Sequence, residues 1–415
     1  MSETVLSRLL GEEADLLEET NFQLLLLANV SPTLGLALVS PLISTLAGVY
    51  AVSPEHAGLL MSALTAPSIV LIPLVGAVAD RVGRKPVLVV GLLVYGLAGC
   101  ALALTTDFRM ALALRFLQGV GYVGLVPIIV TSFGDLYAGA REATAQGLRF
   151  TVTGVSQTVF PLVAGVLVAV AWQYPFLIFG IAVPTALVLA VFLDEPSDPD
   201  RTVGDDARTV VRRVAATLRS RKAAAVLVAR GLPPFLYFGF LTYVSVVVGI
   251  VGGGSSESGL VVAITSLTFA VAATQVGRVT DRFAGRATPI VLTHGVMSVG
   301  LAIFAFAPSL AVAAVGAVLV GVGIGVNVPL YRSALTALSP EAVRGSVVSV
   351  GEAMGRLSVT VVPVFMGALV GVLEPAVGFD QAVRWTVLAV ALVTVVAGPL
   401  LVLFARRAPA VPDPT

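Results

Sequence analysis

The chain of 415 residues is 57% hydrophobic and only 12% charged, with a formal net charge of +1, whereas soluble domains carry about 25% charged residues. That composition excludes a soluble enzyme or nucleic-acid-binding domain and points to an integral membrane protein. The sole cysteine, Cys100, can form no internal disulfide.

The first twenty residues carry six acids and one base, Arg8. They offer neither a basic leader nor a small-residue cleavage site, so no removable signal peptide is expected, and 1–21 is read as a cytoplasmic amino-terminal segment. Apolar runs of about 20 residues, the length that crosses a bilayer as a helix, follow at 22–50, 56–79, 87–106, 109–133, 144–170 and 173–193. Six more lie at 225–250, 258–279, 289–307, 309–333, 346–372 and 383–404. They are too long and too uniformly apolar for barrel strands, and helices satisfy their own backbone in lipid. The fold class is therefore an all-α membrane protein of twelve transmembrane helices.

Between the two sets lies 194–224, opening with acids and prolines and continuing as ARTVVRRVAATLRSRK. Val210, Val214 and Leu218 share one helical face with arginines around it, which reads as an amphipathic helix on the membrane surface within a cytoplasmic linker. Of the 25 Lys and Arg, 18 fall in the amino terminus, the even-to-odd loops and the tail 406–415, against two, Arg109 and Arg384, on the opposite side, with five within the spans. The positive-inside rule then puts both termini in the cytoplasm.

The chain repeats itself. Gly58, Gly76 and Asp80-Arg81 recur 201 residues later as Gly259, Gly277 and Asp281-Arg282. Gly119, Gly121, Pro127, Pro161 and Gly165 recur 202 later as Gly321, Gly323, Pro329, Pro363 and Gly367. Two six-helix bundles of like orientation, 22–193 and 225–405, are expected.

That plan resembles the major facilitator superfamily. The loop GAVADRVGRKP is similar to its signature between helices 2 and 3, matched at Gly76, Asp80, Arg81, Gly83, Arg84 and Lys85. The second copy keeps Gly277, Asp281, Arg282 and Arg286 at an altered spacing. The resemblance implies a cytoplasmic gate made of these residues together with Asp281 and Arg282. More narrowly, LGLALVSPL in helix 1 and RFLQGVG in helix 4 resemble drug:proton antiporters. In helix 5 that group's pattern is kept as FPLVAG, where Phe160 and Ala164 stand in place of two glycines.

Charges inside the spans are costly, at least about 2.5–3.5 kcal/mol on insertion scales, and so mark function or pairing. They are Arg115, Arg149, Arg230, Arg332, Arg356 and one clearly embedded acid, Glu352. Arg230 and Arg332 lie near helix ends and can snorkel. Glu352 and Arg356 are four apart and can pair; with Arg115 they are the proton-coupling candidates. Asn29, Gln118, Arg149, Gln157, Tyr237, Phe238, Tyr243 and Asn327 are the cavity candidates, the aromatics as platforms for an aromatic substrate. His294 reads as structural.

No phosphate-binding loop, metal-ligand spacing or nucleophile triad is present in the sequence, so no metal or cofactor is expected and the chain is not an enzyme. The expectation is a secondary transporter coupled to protons that exports hydrophobic or amphipathic compounds. A facilitator or symporter of an organic anion is the alternative, and a non-transporting sensor a third. The expected partners are a small-molecule substrate, protons and the lipid bilayer of a prokaryotic plasma membrane, with no nucleic acid, and the chain is expected to act as a monomer.

Overall fold

A computed structural model describes residues 11–196, 221–283, 285–338 and 344–407. The amphipathic segment expected at 208–219 and the end of the tail lie outside these residues. The described chain is helical throughout, and twelve of its helices are long and apolar enough to cross a membrane. We number these spans α1 (Thr20–Val49), α2 (Pro54–Ile72), α3 (Arg84–Leu104), α4 (Phe108–Leu136), α5 (Arg141–Val170) and α6 (Tyr174–Phe192). The second set is α7 (Arg221–Ile250), α8 (Ser255–Thr274), α9 (Ala287–Ala305), α10 (Leu310–Thr336), α11 (Val350–Val377) and α12 (Phe379–Ala405).

The boundaries differ from the apolar runs for local reasons. The helix of α2 continues as far as Val82, beyond its most apolar stretch. At the end of α8 the helix breaks at Gln275 and resumes over Val276–Asp281. Helix α4 begins at a cap, with Asp107 Oδ1 accepting from the Met110 N–H at 2.8 Å, which satisfies one of the orphan donors of a helix start. Prolines sit inside the spans at the repeated positions Pro127 and Pro329, and Pro161 and Pro363. Such breaks are tolerated where neighbouring helices satisfy the freed carbonyls.

The chain divides into two compact units, residues 1–39 with 63–202, and residues 40–62 with 203–415. The segment Ser40–Ser62, which belongs to the first sequence repeat, thus packs within the second unit.

In unit 1 the interior is built by Phe22 against Phe133 at 5.7 Å between centroids and by Tyr95 edge-on to Phe179 at 5.6 Å. Close approach there depends on glycine. A Cβ on Gly119 would lie 2.3 Å from the Leu64 carbonyl oxygen of α2, and one on Gly121 would lie 2.6 Å from the Tyr95 nitrogen of α3. In unit 2 the repeat-related pair does the same work: a Cβ on Gly321 would meet the Thr265 oxygen of α8 at 2.4 Å, and one on Gly323 the Met297 Cβ of α9 at 2.5 Å. The repeat seen in sequence is therefore a repeated packing device, small residues letting backbones touch where no hydrophobic effect drives helices together. Unit 2 also buries Phe240 against Phe304 at 4.9 Å and a cluster about Leu227, Ile290, Leu330 and Tyr331.

Gly119→Ala is accordingly expected to lower the thermal-unfolding midpoint of the purified protein, by the equivalent of about 1–3 kcal/mol for an overpacked interior. Gly295→Ala, where an added Cβ meets nothing within 4 Å, is expected to leave the midpoint unchanged or raise it. Equal midpoints for the two variants would remove the packing role of Gly119.

Candidate functional site

The signature residues gather at one end of unit 1, where α2 stops and α3 starts. Gly83 holds φ at +95° between the two helices, a conformation costly to any residue with a Cβ. A Cβ there would also sit 2.4 Å from Oε2 of Glu195. Glu195 accepts from the N–H of Arg84 at 2.6 Å and that of Lys85 at 3.2 Å, capping α3 with a carboxylate at the positive end of its dipole. The Arg84 guanidinium bridges two acids, with Nη1 on Asp80 Oδ1 at 2.6 Å and Nε on Asp135 Oδ2 at 3.2 Å. The Asp80 side chain is 56% exposed and that of Asp135 only 9%, so the pair with Asp135 is the less screened of the two.

Beside this cluster Tyr137 donates to Glu19 at 2.7 Å, and Arg141 pairs with Asp15 at 3.0 Å and with Glu19. Burial, reinforced by the bond to Glu19, holds the Tyr137 phenol well above its ordinary range, so it stays a neutral donor. Arg81 is exposed. The second copy differs: Asp281 ends a short helix, and neither it nor Arg282 forms an ion pair among the described residues.

Deeper in unit 1, Arg115 is fully buried. It donates through Nη1 to Gln118 Oε1 at 2.7 Å and through Nη2 to the Gly35 carbonyl of α1 at 2.8 Å. A Cβ on Gly35 would overlap Leu64 of α2 at 2.7 Å, so α1 and α2 meet closely at this point. The other end of the Gln118 amide, Nε2, has no partner and lies over Gly99 of α3. Both ends of the Arg115 fork are thus occupied inside the unit. Asn29 donates to Thr153 Oγ1 at 2.9 Å and to the Arg149 carbonyl at 3.3 Å, tying α1 to α5. Arg149 is buried, bonded to Gln146 at 2.8 Å and placed over the Phe150 ring at 4.2 Å. Gln157 is half-buried on α5.

In unit 2, Glu352 does not pair with Arg356. Its two carboxyl oxygens accept from Nη2 of Arg230 on α7 at 3.2 and 3.3 Å, and Nε of Arg332 stands 4.0 Å away. Arg230 is 4% exposed and so does not snorkel, whereas the Glu352 side chain is 45% exposed. The Arg230 Nη1 has no partner. Asn327 is buried against Thr293 Oγ1 and His294 Nδ1, both at 2.9 Å, and His294 lies over Gly398, with 2.2 Å between its Cδ2 and an added Cβ. Tyr237 stacks on Phe269 and meets Phe238 edge-on. Tyr243 is buried with its hydroxyl unpartnered.

Three acids were missed from sequence. Asp135 and Glu195 sit just past the apolar ends of α4 and α6 and looked like loop charges; only the structure brings them to Arg84. Glu55 fell one residue before the second apolar run, yet its side chain is only 11% exposed. Its side chain is thus less exposed than that of Glu352, at 45%.

The Major Facilitator Superfamily model matches residues 25–256 and 247–415, and the chain belongs to that family; it is a multi-pass membrane protein. It is similar to the Bacillibactin exporter of Bacillus subtilis (strain 168), 30% identical over 151 residues, 35% of this chain and 38% of the relative. It is also similar to the class H tetracycline resistance protein of Pasteurella multocida, 25% identical over 40% of this chain and 42% of the relative. A probable sulfoacetate transporter of Cupriavidus necator is 27% identical over 46% and 44%. The chain thus spans less than half the length of these curated relatives. Among solved structures, a bacterial homolog of the human lysosomal transporter Spinster, inward-facing and unoccupied, superposes with a TM-score of 0.77 at 15% identity, over 93% of this chain and 96% of that one. The nucleoside transporter NupG gives 0.78 at 12%, over 92% and 100%. These last likenesses show the fold.

Arg115→Lys is expected to preserve membrane insertion while lowering the unfolding midpoint, because one ammonium cannot reproduce the planar fork onto Gln118 and Gly35. A buried acceptor left unbonded costs about 1–3 kcal/mol. A wild-type midpoint in Arg115→Lys would show that the fork carries no stability.

Proposed function

We propose that this chain is a secondary transporter of a prokaryotic plasma membrane, with both termini cytoplasmic, that works by alternating access and exports hydrophobic or amphipathic small molecules in exchange for protons. The observation that carries the reading is the Arg230–Glu352 pair: a buried cation holding a half-exposed carboxylate within a membrane-spanning bundle. In this proposal Glu352 is the group that carries the exchanged proton. The exporter and resistance relatives support the direction and the substrate class.

In this reading the Asp80–Arg84–Asp135 bridge and the Glu195 cap keep the signature loop rigid, so that it moves as one piece with its helices. A second reading, transport of an organic anion, is favoured by the three buried arginines Arg115, Arg149 and Arg230 and by the sulfoacetate-transporter relative.

Transport by the purified chain in liposomes, with and without an imposed pH gradient, tests these readings with tetracycline as the amphipathic probe and sulfoacetate as the anionic one. Export of tetracycline against its gradient, driven by the pH difference, is expected. Movement of sulfoacetate alone would favour the second reading, and no flux of either probe would count against both. Glu352→Gln is expected to abolish pH-driven accumulation while exchange without a gradient persists; retained accumulation would remove Glu352 from proton coupling. Asp135→Asn is expected to slow transport more than Asp80→Asn, because its half of the bridge is the less solvated. The reverse order would assign the working contact to Asp80.

A further inference from the structure

Next to the signature loop, unit 1 carries a groove with no part in the proposed transport cycle. Val75, Val78 and Val82, on the continuation of α2, are spaced three and four apart and so share one helical face; Val87, Val90 and Val94 of α3 are spaced in the same way. With Pro86 and Val120 they line a groove of about 330 Å³. No polar side chain is among the residues that line it.

The groove is one that the protein itself does not fill. Its floor is backbone: a Cβ on Gly91 of α3 would lie 3.0 Å from the Gly121 carbonyl oxygen of α4, and one on Gly124 would lie 2.7 Å from Cγ1 of Val75. These three glycines belong to the lining and bring no side chain to close it. The valines of the walls are β-branched and stiff about χ1, so the walls hold their shape. Val78, Val82, Val90 and Val120 are 49, 54, 60 and 37% exposed, and the groove is therefore open to its surroundings. Atoms along an empty groove lose dispersion contacts on one side. A flexible hydrocarbon chain laid along it restores them.

One end of the groove carries charge. Val82 and Pro86, which line it, directly follow Arg81 and Lys85 in the chain. The acids of this end are already engaged: Asp80 and Asp135 by Arg84, and Glu195 by the first N–H groups of α3. Arg81, which is exposed, and Lys85, which is half-buried, form no ion pair among the described residues. From Pro86 to Val94 the groove follows α3 for roughly 12 Å at 1.5 Å per residue. That is most of one leaflet's share of a hydrocarbon core about 30 Å thick.

We infer that the groove is a binding site for an anionic phospholipid, with one acyl chain along the valines and the phosphate at Arg81 and Lys85. An apolar chain tied to a negative head matches the apolar walls and the cationic end together, and basic residues at the edge of a bilayer attract anionic lipid. A zwitterionic head would bring a cation of its own to the same place. The site requires no transported substrate, so it stands or falls apart from the exporter reading.

Native mass spectrometry of the purified full chain in detergent, titrated with phosphatidylglycerol or with phosphatidylcholine of the same acyl chains, tests the site. One tightly held phosphatidylglycerol per chain is expected, with phosphatidylcholine held more weakly. Arg81→Gln and Lys85→Gln are each expected to weaken phosphatidylglycerol about fivefold, the attraction of one basic side chain to an anionic surface, and to leave phosphatidylcholine unchanged. Val90→Trp, which fills the groove from an exposed position, is expected to weaken both lipids, and Val78→Phe repeats that test from the α2 side. Leu400→Trp, on an equally exposed position of α12, is expected to weaken neither. Glycerol 3-phosphate, a head without chains, is expected not to displace the lipid. Equal binding of the two lipids by the native chain would overturn the site, as would phosphatidylglycerol binding that survives the double charge removal or both groove-filling variants. Leu400→Trp acting as Val90→Trp does would reduce the binding to an unselective lipid coat, and displacement by glycerol 3-phosphate would reduce it to a bare phosphate contact; either result rejects the groove.

Discussion

Everything in these two units depends on how closely helices can approach where no water drives them together. In lipid, association comes from van der Waals contact and from hydrogen bonds between helices, and both need backbones brought near one another. Gly119 and Gly121 provide that approach on two sides of α4, and Gly321 and Gly323 provide it on two sides of α10. Polar chemistry then fits beside such glycines: the Gly35 carbonyl accepts from Arg115, and Gly99 makes room for the Gln118 amide that completes the fork. A charge can be buried inside a bundle because glycines first made a place where its donors find acceptors.

The architecture was legible in the sequence because its causes are periodic and local. Apolar length gave the helices and the constant offset gave the repeat, and the offset proved to mark backbone contacts that recur in both units. Partnership was much less legible. Glu352 and Arg356 stand at a spacing that allows an i,i+4 pair, yet Glu352 bonds to Arg230 on another helix, a contact that no local pattern encodes. Asp135 and Glu195 likewise looked like ordinary charges at helix ends, and Glu55 like a loop residue. Burial at the end of a span is decided by the neighbours, here the bare backbone at Gly367, so hydropathy along one helix carries no trace of it.

The signature loop shows how one motif combines a conformational and an electrostatic demand. Gly83 is required by its positive φ and again by the approach of Glu195, while Arg84 is required by two acids from different places in the chain. The second repeat keeps the first demand, since Gly285 also holds a positive φ of +110°, 202 residues after Gly83, and Arg286 follows it as Arg84 follows Gly83. It drops the second. The positions 202 beyond Asp135 and Glu195 are Ala337 and Ala397, so the acids that fix Arg84 have no counterparts for Arg286.

The same contrast runs through the whole chain and separates scaffold from chemistry. Glycines and prolines recur between repeats, and at Ser44 and Ser245 two repeat-related residues, 201 apart, bond to each other. Outside the signature loop the charged groups singled out here do not recur. Arg115 corresponds to Ala317, Glu352 to Phe150, Arg230 to Asn29 and Glu55 to Ser256. A scaffold duplicated without change would carry the same groups in both repeats, and nothing in it would favour one arrangement over its equivalent. Unpaired or asymmetrically paired charges remove that degeneracy, and in the reading proposed above they are where a proton or a substrate would stabilise one arrangement more than the other, since a ligand shifts an equilibrium only by such a difference. Under the transport reading proposed above, the residues that break the repeat are the ones at which free energy from outside would enter the cycle.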